Sequence, residues 1–271
     1  MTDILQWNLK GIKDKRSANY KQKVDIVTHL LSNPCKNGII NLQETHLDTL
    51  EQLPVEWTHF DHAYTIIPNF CLVSDTFAGT VLFLNKSIEI IGITVLVPGR
   101  VILVKSKHEG DLFRTNYISI YGKASGSSNE KRSIIRSILD QNLSVLDSNI
   151  FIGDYNFVTS PFDRNSNKLN STDEACQSLW NELEIKLNLV DAFRVTNKIK
   201  RLYTFSSPTH SKSRIDRVYV PISVSGKILS TNYESTDVSD HKIVRTRFKS
   251  AIKKGPGCYI INKSLLEDPF L

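Results

Sequence analysis

Asn149-Ile150-Phe151-Ile152-Gly153-Asp154-Tyr155-Asn156 is an apolar run that stops at a glycine and delivers polar side chains. Its bulky apolar residues predict a buried strand over 149–153. Residues i and i+2 of an extended chain face the same way, so Asp154 and Asn156 can meet one ligand. The pattern recurs on either side of this stretch. A strand over 3–9 delivers Asn8, and one over 38–42 runs into Gln43-Glu44-Thr45-His46. A strand over 117–121 ends at Tyr121, Asp216 lies in Ser213-Arg214-Ile215-Asp216-Arg217-Val218, and Ser239-Asp240-His241 precedes a strand over 242–248. A single such Asn or Asp reads as a turn or cap residue that bonds nearby backbone. Six in one chain read as strand ends converging on a crevice.

Further strands are predicted over 79–84, 88–97, 101–105, 201–205 and 214–220, and helices over 20–31, 131–145 and 172–188 with Thr172 as cap. Interleaved strands and helices indicate a layered α/β domain over 1–250. Residues 251–271, with Gly255-Pro256-Gly257, read as a tail or linker. The 40% hydrophobic share excludes a disordered chain. A net charge of +6 and a pI near 9.0 favour a polyanionic partner. Cys35, Cys71, Cys176 and Cys258 are too scattered for a disulfide framework or a Cys-x-x-Cys metal site. No apolar run reaches membrane-spanning length and no secretory signal opens the chain, so a nuclear or cytoplasmic protein without membrane contact is expected.

These residue types suit hydrolysis of a phosphodiester. Glu44 with Asn8 can hold a hard divalent cation, for which oxygen donors are preferred; Mg²⁺ is the default and Mn²⁺ the alternative. Asp154 and Asn156 can orient and deprotonate a water. His241, oriented and kept cationic by Asp216, can hydrogen-bond the phosphate. Lys13, Lys15, Arg16, Lys21 and Lys23, with Tyr20 interleaved, follow the first strand and favour phosphate contacts. His29, His59 and His62 read as structural, because no third metal ligand stands near the latter two.

The ordered set Gln6-Trp7-Asn8, Gln43-Glu44-Thr45-His46, Gly153-Asp154-Tyr155-Asn156, Arg214-Ile215-Asp216 and Ser239-Asp240-His241 resembles the endonuclease/exonuclease/phosphatase superfamily, which includes DNase I and abasic-site endonucleases. Asn41-Leu42-Gln43-Glu44-Thr45-His46-Leu47, Asp163-Arg164, Tyr203-Thr204-Phe205 and the 255–268 tail more narrowly resemble the apurinic-like endonuclease domain of LINE-type (non-LTR) retrotransposons. The resemblance implies a four-layered α/β sandwich of two mainly antiparallel sheets packed face to face, with outer helices. It implies that Asn8, Glu44 and Asp240 serve the metal and that Tyr121 contacts the scissile phosphate. Arg164 and Thr204 would touch DNA, and a 206–213 hairpin would probe the minor groove. Ser206, Ser207, His210, Lys212, Arg214 and Ser239 join Arg16, Tyr20 and Lys123 as expected DNA contacts. The implied activity is nicking one strand of double-stranded host DNA in the nucleus, after synthesis in the cytoplasm. The 3′-hydroxyl so made primes a reverse transcriptase domain of the same polyprotein.

Three positions depart from the wider superfamily. Gly122-Lys123-Ala124 follows Tyr121 without an amide side chain, leaving Lys123 as a point charge for phosphate. Lys10 replaces an acidic residue, and no Trp stands near Ile215-Asp216 to build an abasic-sugar pocket. The alternative is a phosphatase or phosphodiesterase of the same superfamily. Against the inositol-phosphatase form, Lys212-Ser213-Arg214-Ile215-Asp216-Arg217 lacks the Trp and Cys usual near the second Asp. An idle nucleic-acid-binding module would have lost Asp154, Asp216 or His241, and all three are present.

Overall fold

The computed structural model describes residues 3–249, apart from 35, 73 and 108–113. Along the chain run β1 (Asp3–Asn8), α1 (Tyr20–Leu31), β2 (Asn37–Gln43), α2 (Val55–Thr58), β3 (Tyr64–Asn69), β4 (Thr80–Asn85) and β5 (Glu89–Val97). Then come β6 (Val101–Lys107), β7 (Thr115–Tyr121), α3 (Ser128–Leu139), β8 (Ser148–Asp154), α4 (Ser171–Leu187), β9 (Leu189–Asp191) and α5 (Ala192–Thr196). Last are β10 (Phe205–Ser206), β11 (Lys212–Ser213), β12 (Asp216–Pro221), α6 (Ile222–Ser225), β13 (Ile228–Glu234) and β14 (Ile243–Phe248). The expected tail over 251–271 lies outside the described residues, as do Cys35 and Cys258. Cys71 and Cys176 are free buried thiols.

Two six-stranded sheets form, in the orders β13-β14-β1-β2-β4-β3 and β5-β6-β7-β8-β12-β9. Each is antiparallel except at its centre, where β1 pairs with β2 and β7 with β8 in parallel. Those two pairs need crossover connections, and α1 and α3 supply them. Alternation then sorts the side chains. Ile4, Ile39, Ile150 and Ile152 point between the sheets and pack with Leu82, Ile102, Val104 and Val218. Leu5, Trp7, Ile40 and Leu42 face the other way, into a cluster with Val24, Val27 and Leu31 of α1. Leu103, Ile118 and Phe151 likewise meet Ile134, Ile138 and Trp180 of α3 and α4. The central strands are buried on both faces, which is why they read as near-continuous apolar runs. The layers are helix, sheet, sheet, helix, as the resemblance implied.

A polar bond crosses the apolar interface. Buried Asn41 donates to the Ile152 carbonyl at 2.9 Å and accepts from Ser119 Oγ at 2.7 Å, pinning the two parallel pairs together. Consequently the carboxyl ends of β1, β2, β7 and β8 open at one place, the usual location of a site in such sheets. Gly153 permits this packing: a Cβ there would sit 1.8 Å from the Ile120 carbonyl oxygen.

Several elements differ from expectation. The helix expected over 131–145 is α3, which begins three residues earlier because Ser127 and Glu130 form a capping box. Asn170, not Thr172, caps α4 through a second capping box with Asp173. The strand expected over 201–205 shrinks to the short β10, paired with β11. Strands β3, β9 and β13 were not anticipated.

Candidate active site

At the mouth of the crevice the ends of β1, β2, β7 and β8 bring Asn8, Glu44, Tyr121 and Asp154 into one hydrogen-bonded group. Asn8 Nδ2 donates to Glu44 Oε2 at 2.9 Å and to Asp154 Oδ2 at 3.0 Å. Tyr121 donates its hydroxyl to the same Glu44 oxygen at 2.9 Å. Burial pushes the Glu44 carboxyl up, but His46, Asn8 and Tyr121 outweigh this and leave it below the ordinary glutamate value. Burial, with Glu44 and Asp154 nearby, holds the Tyr121 phenol well above its usual range. Asn8 Oδ1 accepts the Lys10 N–H at 3.0 Å, so Asn8 bridges the two carboxylates through its Nδ2 donor.

The second half of the site comes from β8, β12 and the segment before β14. Asp154 and Asp216 are direct partners in the antiparallel register. Asp216 Oδ2 lies 2.9 Å from His241 Nδ1, and His241 Nε2 lies 3.9 Å from Asp154 Oδ2. Burial first, and then repulsion from Asp216, raise the Asp154 carboxyl to about 7. Burial disfavours the His241 cation, yet Asp216 outweighs it and lifts the imidazole to about 9. The arrangement is therefore an imidazolium between two carboxylates, with Asp154 poised near neutrality. Asn156 is left-handed (φ 52°) and ties its side chain to Asp154 Oδ2 at 3.2 Å and the Gly122 carbonyl at 2.9 Å.

The other expected site residues separate into three groups. Thr204 and Arg214 are each 1% exposed, which corrects their assignment as DNA contacts. Thr204 Oγ1 accepts the backbone N–H groups of Ile215 and Asp216, both at 3.1 Å, and so places the dyad carboxylate. Arg214 grips Asp163 through two bonds of 2.8 Å and reaches Asp191 at 2.7 Å. Arg164, Lys123, Ser239 and Asp240 sit near the site with partners of their own. Arg164 is bidentate to Asp173 at 2.7 and 2.9 Å. Lys123 bonds Glu130 at 2.9 Å, and Ser239 accepts from the His241 N–H and donates to the Asn8 carbonyl. Asp240, the expected metal ligand, bonds Lys10 Nζ at 2.8 Å. Ser206, His210 and Lys212 are exposed on the β10–β11 hairpin, Ser207 is half-buried there, Arg16 is exposed in the segment before α1, and Tyr20 is the first residue of α1. The Phe205 ring packs on His241 with centroids 4.9 Å apart, so the hairpin rises directly beside the dyad.

Three further groups, His46, Arg100 and Asn165, escaped sequence reasoning, and a fourth, Lys23, has another role than expected. His46 Nε2 stands 3.5 Å from Glu44 Oε1. Lys23, expected to meet phosphate, is buried and donates to the Lys10 and Gly11 carbonyls at 3.0 Å. Arg100 lies under the Tyr121 ring at 4.9 Å and bonds the Gly122 carbonyl. Asn165 holds the hairpin tip, donating to the His210 carbonyl at 2.9 Å and accepting from the Lys212 N–H at 3.1 Å. Of these, only His46 carried a signal, its place in Gln43-Glu44-Thr45-His46.

The donor set fits a hard cation. Glu44 Oε1 lies outside the network that occupies Oε2 and faces His46 Nε2 at 3.5 Å, and carboxylate plus water is the usual coordination of Mg²⁺-type ions. Asp154, Asp216 and His241 also offer ligand atoms within 4.8 Å of one another, but there a metal must displace the imidazolium proton.

The comparisons agree with this geometry. A 149 kDa protein of transposon TX1 from Xenopus laevis is 28% identical over 242 residues. That match covers 84% of this chain and 17% of the relative, so the chain spans a small part of it. An AP endonuclease from Leishmania major superposes with a TM-score of 0.72 at 16% identity, covering 92% of this chain and 87% of the other. The endonuclease domain of TRAS1, a telomere-specific non-LTR retrotransposon, superposes with a TM-score of 0.63 at 14% identity, covering 92% and 98%. Residues 5–241 match the Endonuclease/Exonuclease/phosphatase family. The chain belongs to that family of divalent-metal-dependent phosphoester hydrolases.

Proposed function

We propose that this domain is a metal-dependent DNA endonuclease that nicks one strand of target DNA and leaves a 3′-hydroxyl for target-primed reverse transcription. The observation that carries the reading is the joining of Asn8, Glu44, Tyr121, Asp154, Asn156, Asp216 and His241 in one crevice, beside a projecting hairpin with exposed Lys212 and His210. A buried hydrolytic centre alone suits any phosphoester; a polar hairpin standing over it suits an extended duplex. The net charge of +6 supports the same partner.

In this reading Asp154 takes a proton from the attacking water, which Asn156 helps to orient. A carboxylate held near 7 is matched to that task. The water oxygen bonds to phosphorus as the bond to the 3′ oxygen breaks. The departing electron pair stays on that oxygen, which is then protonated, leaving a 3′-hydroxyl and a 5′-phosphate. His241 donates from Nε2 to a non-bridging phosphate oxygen, while Asp216 holds Nδ1 and the positive charge. Tyr121 exchanges its Glu44 bond for the phosphate. Glu44 holds the divalent ion, Mg²⁺ or Mn²⁺, which when bound neutralises charge on the phosphate. Acting on chromosomal DNA, the domain works in the nucleus, as one part of a longer polypeptide that carries a reverse transcriptase.

Supercoiled plasmid, incubated with Mg²⁺ or EDTA, tests the reading. Metal-dependent open circles whose nicks prime a DNA polymerase without end repair are expected. No nicking by folded protein, combined with release of phosphate from small monoesters, overturns it in favour of the phosphatase.

A further inference from the structure

Lys10 places an ammonium beside the reacting centre from a backbone that is itself strained. Its φ is 54°, a left-handed conformation that a lysine keeps only where its surroundings impose it. The turn after β1 is held from three directions. The Lys10 N–H donates to Asn8 Oδ1 at 3.0 Å, and the Gly11 N–H donates to the Glu44 carbonyl at 2.7 Å. Beneath the turn the buried Lys23 ammonium donates to the Lys10 and Gly11 carbonyls, both at 3.0 Å. From this turn the Lys10 side chain reaches Asp240, with Nζ 2.8 Å from Oδ2. Asp240 is fixed as well. Its carbonyl accepts the Ser206 N–H at 3.1 Å, and the Ser239 hydroxyl before it donates to the Asn8 carbonyl at 2.8 Å. His241, after it, is held by Asp216. A free surface ion pair gains little, because two long side chains must be ordered to make it. Here both backbones are already anchored at the site, and the pair joins the end of β1 to the segment that carries the imidazolium.

We propose that Lys10 is a built-in cation of the active site, whose ammonium holds Asp240 out of metal coordination and leaves Glu44 to bind the divalent ion. The proposal rests on the reading of Glu44 as metal ligand above. A carboxylate beside the dyad would repel an incoming phosphate or draw in a further ion. With Lys10 on Asp240 that charge is cancelled by the chain itself, and the divalent ion stays at one position.

The test is Mn²⁺ binding without DNA, read by calorimetry and by loss of the free-ion paramagnetic resonance signal. It compares wild type with Lys10→Asp and Lys10→Asn, because Asp and Asn both tolerate the left-handed backbone. Wild type should take up one ion, lost in Glu44→Gln, and Asp240→Asn should leave that affinity near the wild-type value. Lys10→Asp should take up a second ion, lost again when Asp240→Asn is added. In the Lys10→Asn background, Asp240→Asn should now weaken Mn²⁺ binding by about tenfold or more, the size of effect expected when a group supporting a metal is removed. Two ions in wild type overturn the proposal. So does a weakening of that size from Asp240→Asn alone, which would make Asp240 a metal ligand despite Lys10, and so does a Lys10→Asp protein that takes up one ion only. A protein that binds Mn²⁺ as stated but nicks no plasmid counts against the DNA reading and leaves the role of Lys10 standing, whereas one that takes up no ion refutes both.

Discussion

Replacing Thr204 by Val separates the structure's account of this residue from the one its sequence context suggests. Val matches the shape of Thr and removes only the hydroxyl oxygen. That oxygen accepts two backbone N–H groups, from Ile215 and Asp216, each at 3.1 Å and all buried. A buried donor left unpaired costs about 1–3 kcal/mol, so Thr204→Val, which leaves two, should lose roughly 2–6 kcal/mol. The loss has a direction, because Asp216 opens β12 and its amide anchors the carboxylate 2.9 Å from His241. Urea unfolding should show the lowered midpoint, and nicking kinetics should show kcat falling with KM little changed. Thr204→Ser keeps the oxygen and should restore both. A Thr204→Val protein as stable as wild type, with KM alone raised, would show that the hydroxyl meets DNA and would refute the argument from burial.

Asp163 is 1% exposed between Arg214 and Arg194, and Asp163→Asn should cost about 3–5 kcal/mol by leaving Arg214 short of a counter-charge; a chemical denaturation curve within 1 kcal/mol of wild type would contradict this. Burial raises the Asp163 carboxyl, but Arg214 and Arg194 outweigh it and leave it depressed, so its contribution is present above the ordinary Asp value near 3.8 and disappears as pH falls through the folded one. The dyad region behaves oppositely. Asp154 is raised to about 7 and His241 to about 9, so stability from this cluster is lost as pH rises from 3.8 to 7 for Asp154 and from 6.5 to 9 for His241. Protein in EDTA should therefore unfold at lower urea at pH 9 than at pH 6, by on the order of a few kcal/mol, and Asp154→Asn should flatten the profile below pH 7. Asn165→Ala removes the two side-chain bonds to the hairpin tip and leaves the backbone bond to the Lys212 carbonyl, and mapped nicks should spread over more positions while turnover on plasmid stays near wild type.

The parts of the fold that were legible share a physical cause, and so do the parts that were not. β1, β2, β7 and β8 are central and buried on both faces, so their apolar runs and polar endings stand out in a short window; Asn8, Glu44, Tyr121 and Asp154 follow from those endings. The unanticipated β3, β9 and β13 are all at sheet edges. An edge strand has weaker pattern to show: β3 tolerates Pro68, and β13 reads Ser230-Thr231-Asn232 with half its positions toward solvent. The start of α3 was legible in principle, since Ser127-x-x-Glu130 is a local capping signal. Arg214 is different in kind. In sequence it is a cation next to a catalytic motif, and a DNA contact is the natural reading. What makes it internal is Asp163, 51 positions earlier, and Asp191, neither of which any window around Arg214 contains. Burying a guanidinium is stable only when such partners arrive from elsewhere in the chain, so the difference between a phosphate-binding Arg and a structural one is a tertiary property. The same holds for Lys23, whose ammonium ends on two carbonyls of the turn after β1 instead of on phosphate. Charge alone therefore over-counts the residues free to meet a polyanion, and Lys212 and His210 on the β10–β11 hairpin are among the exposed groups that stay available.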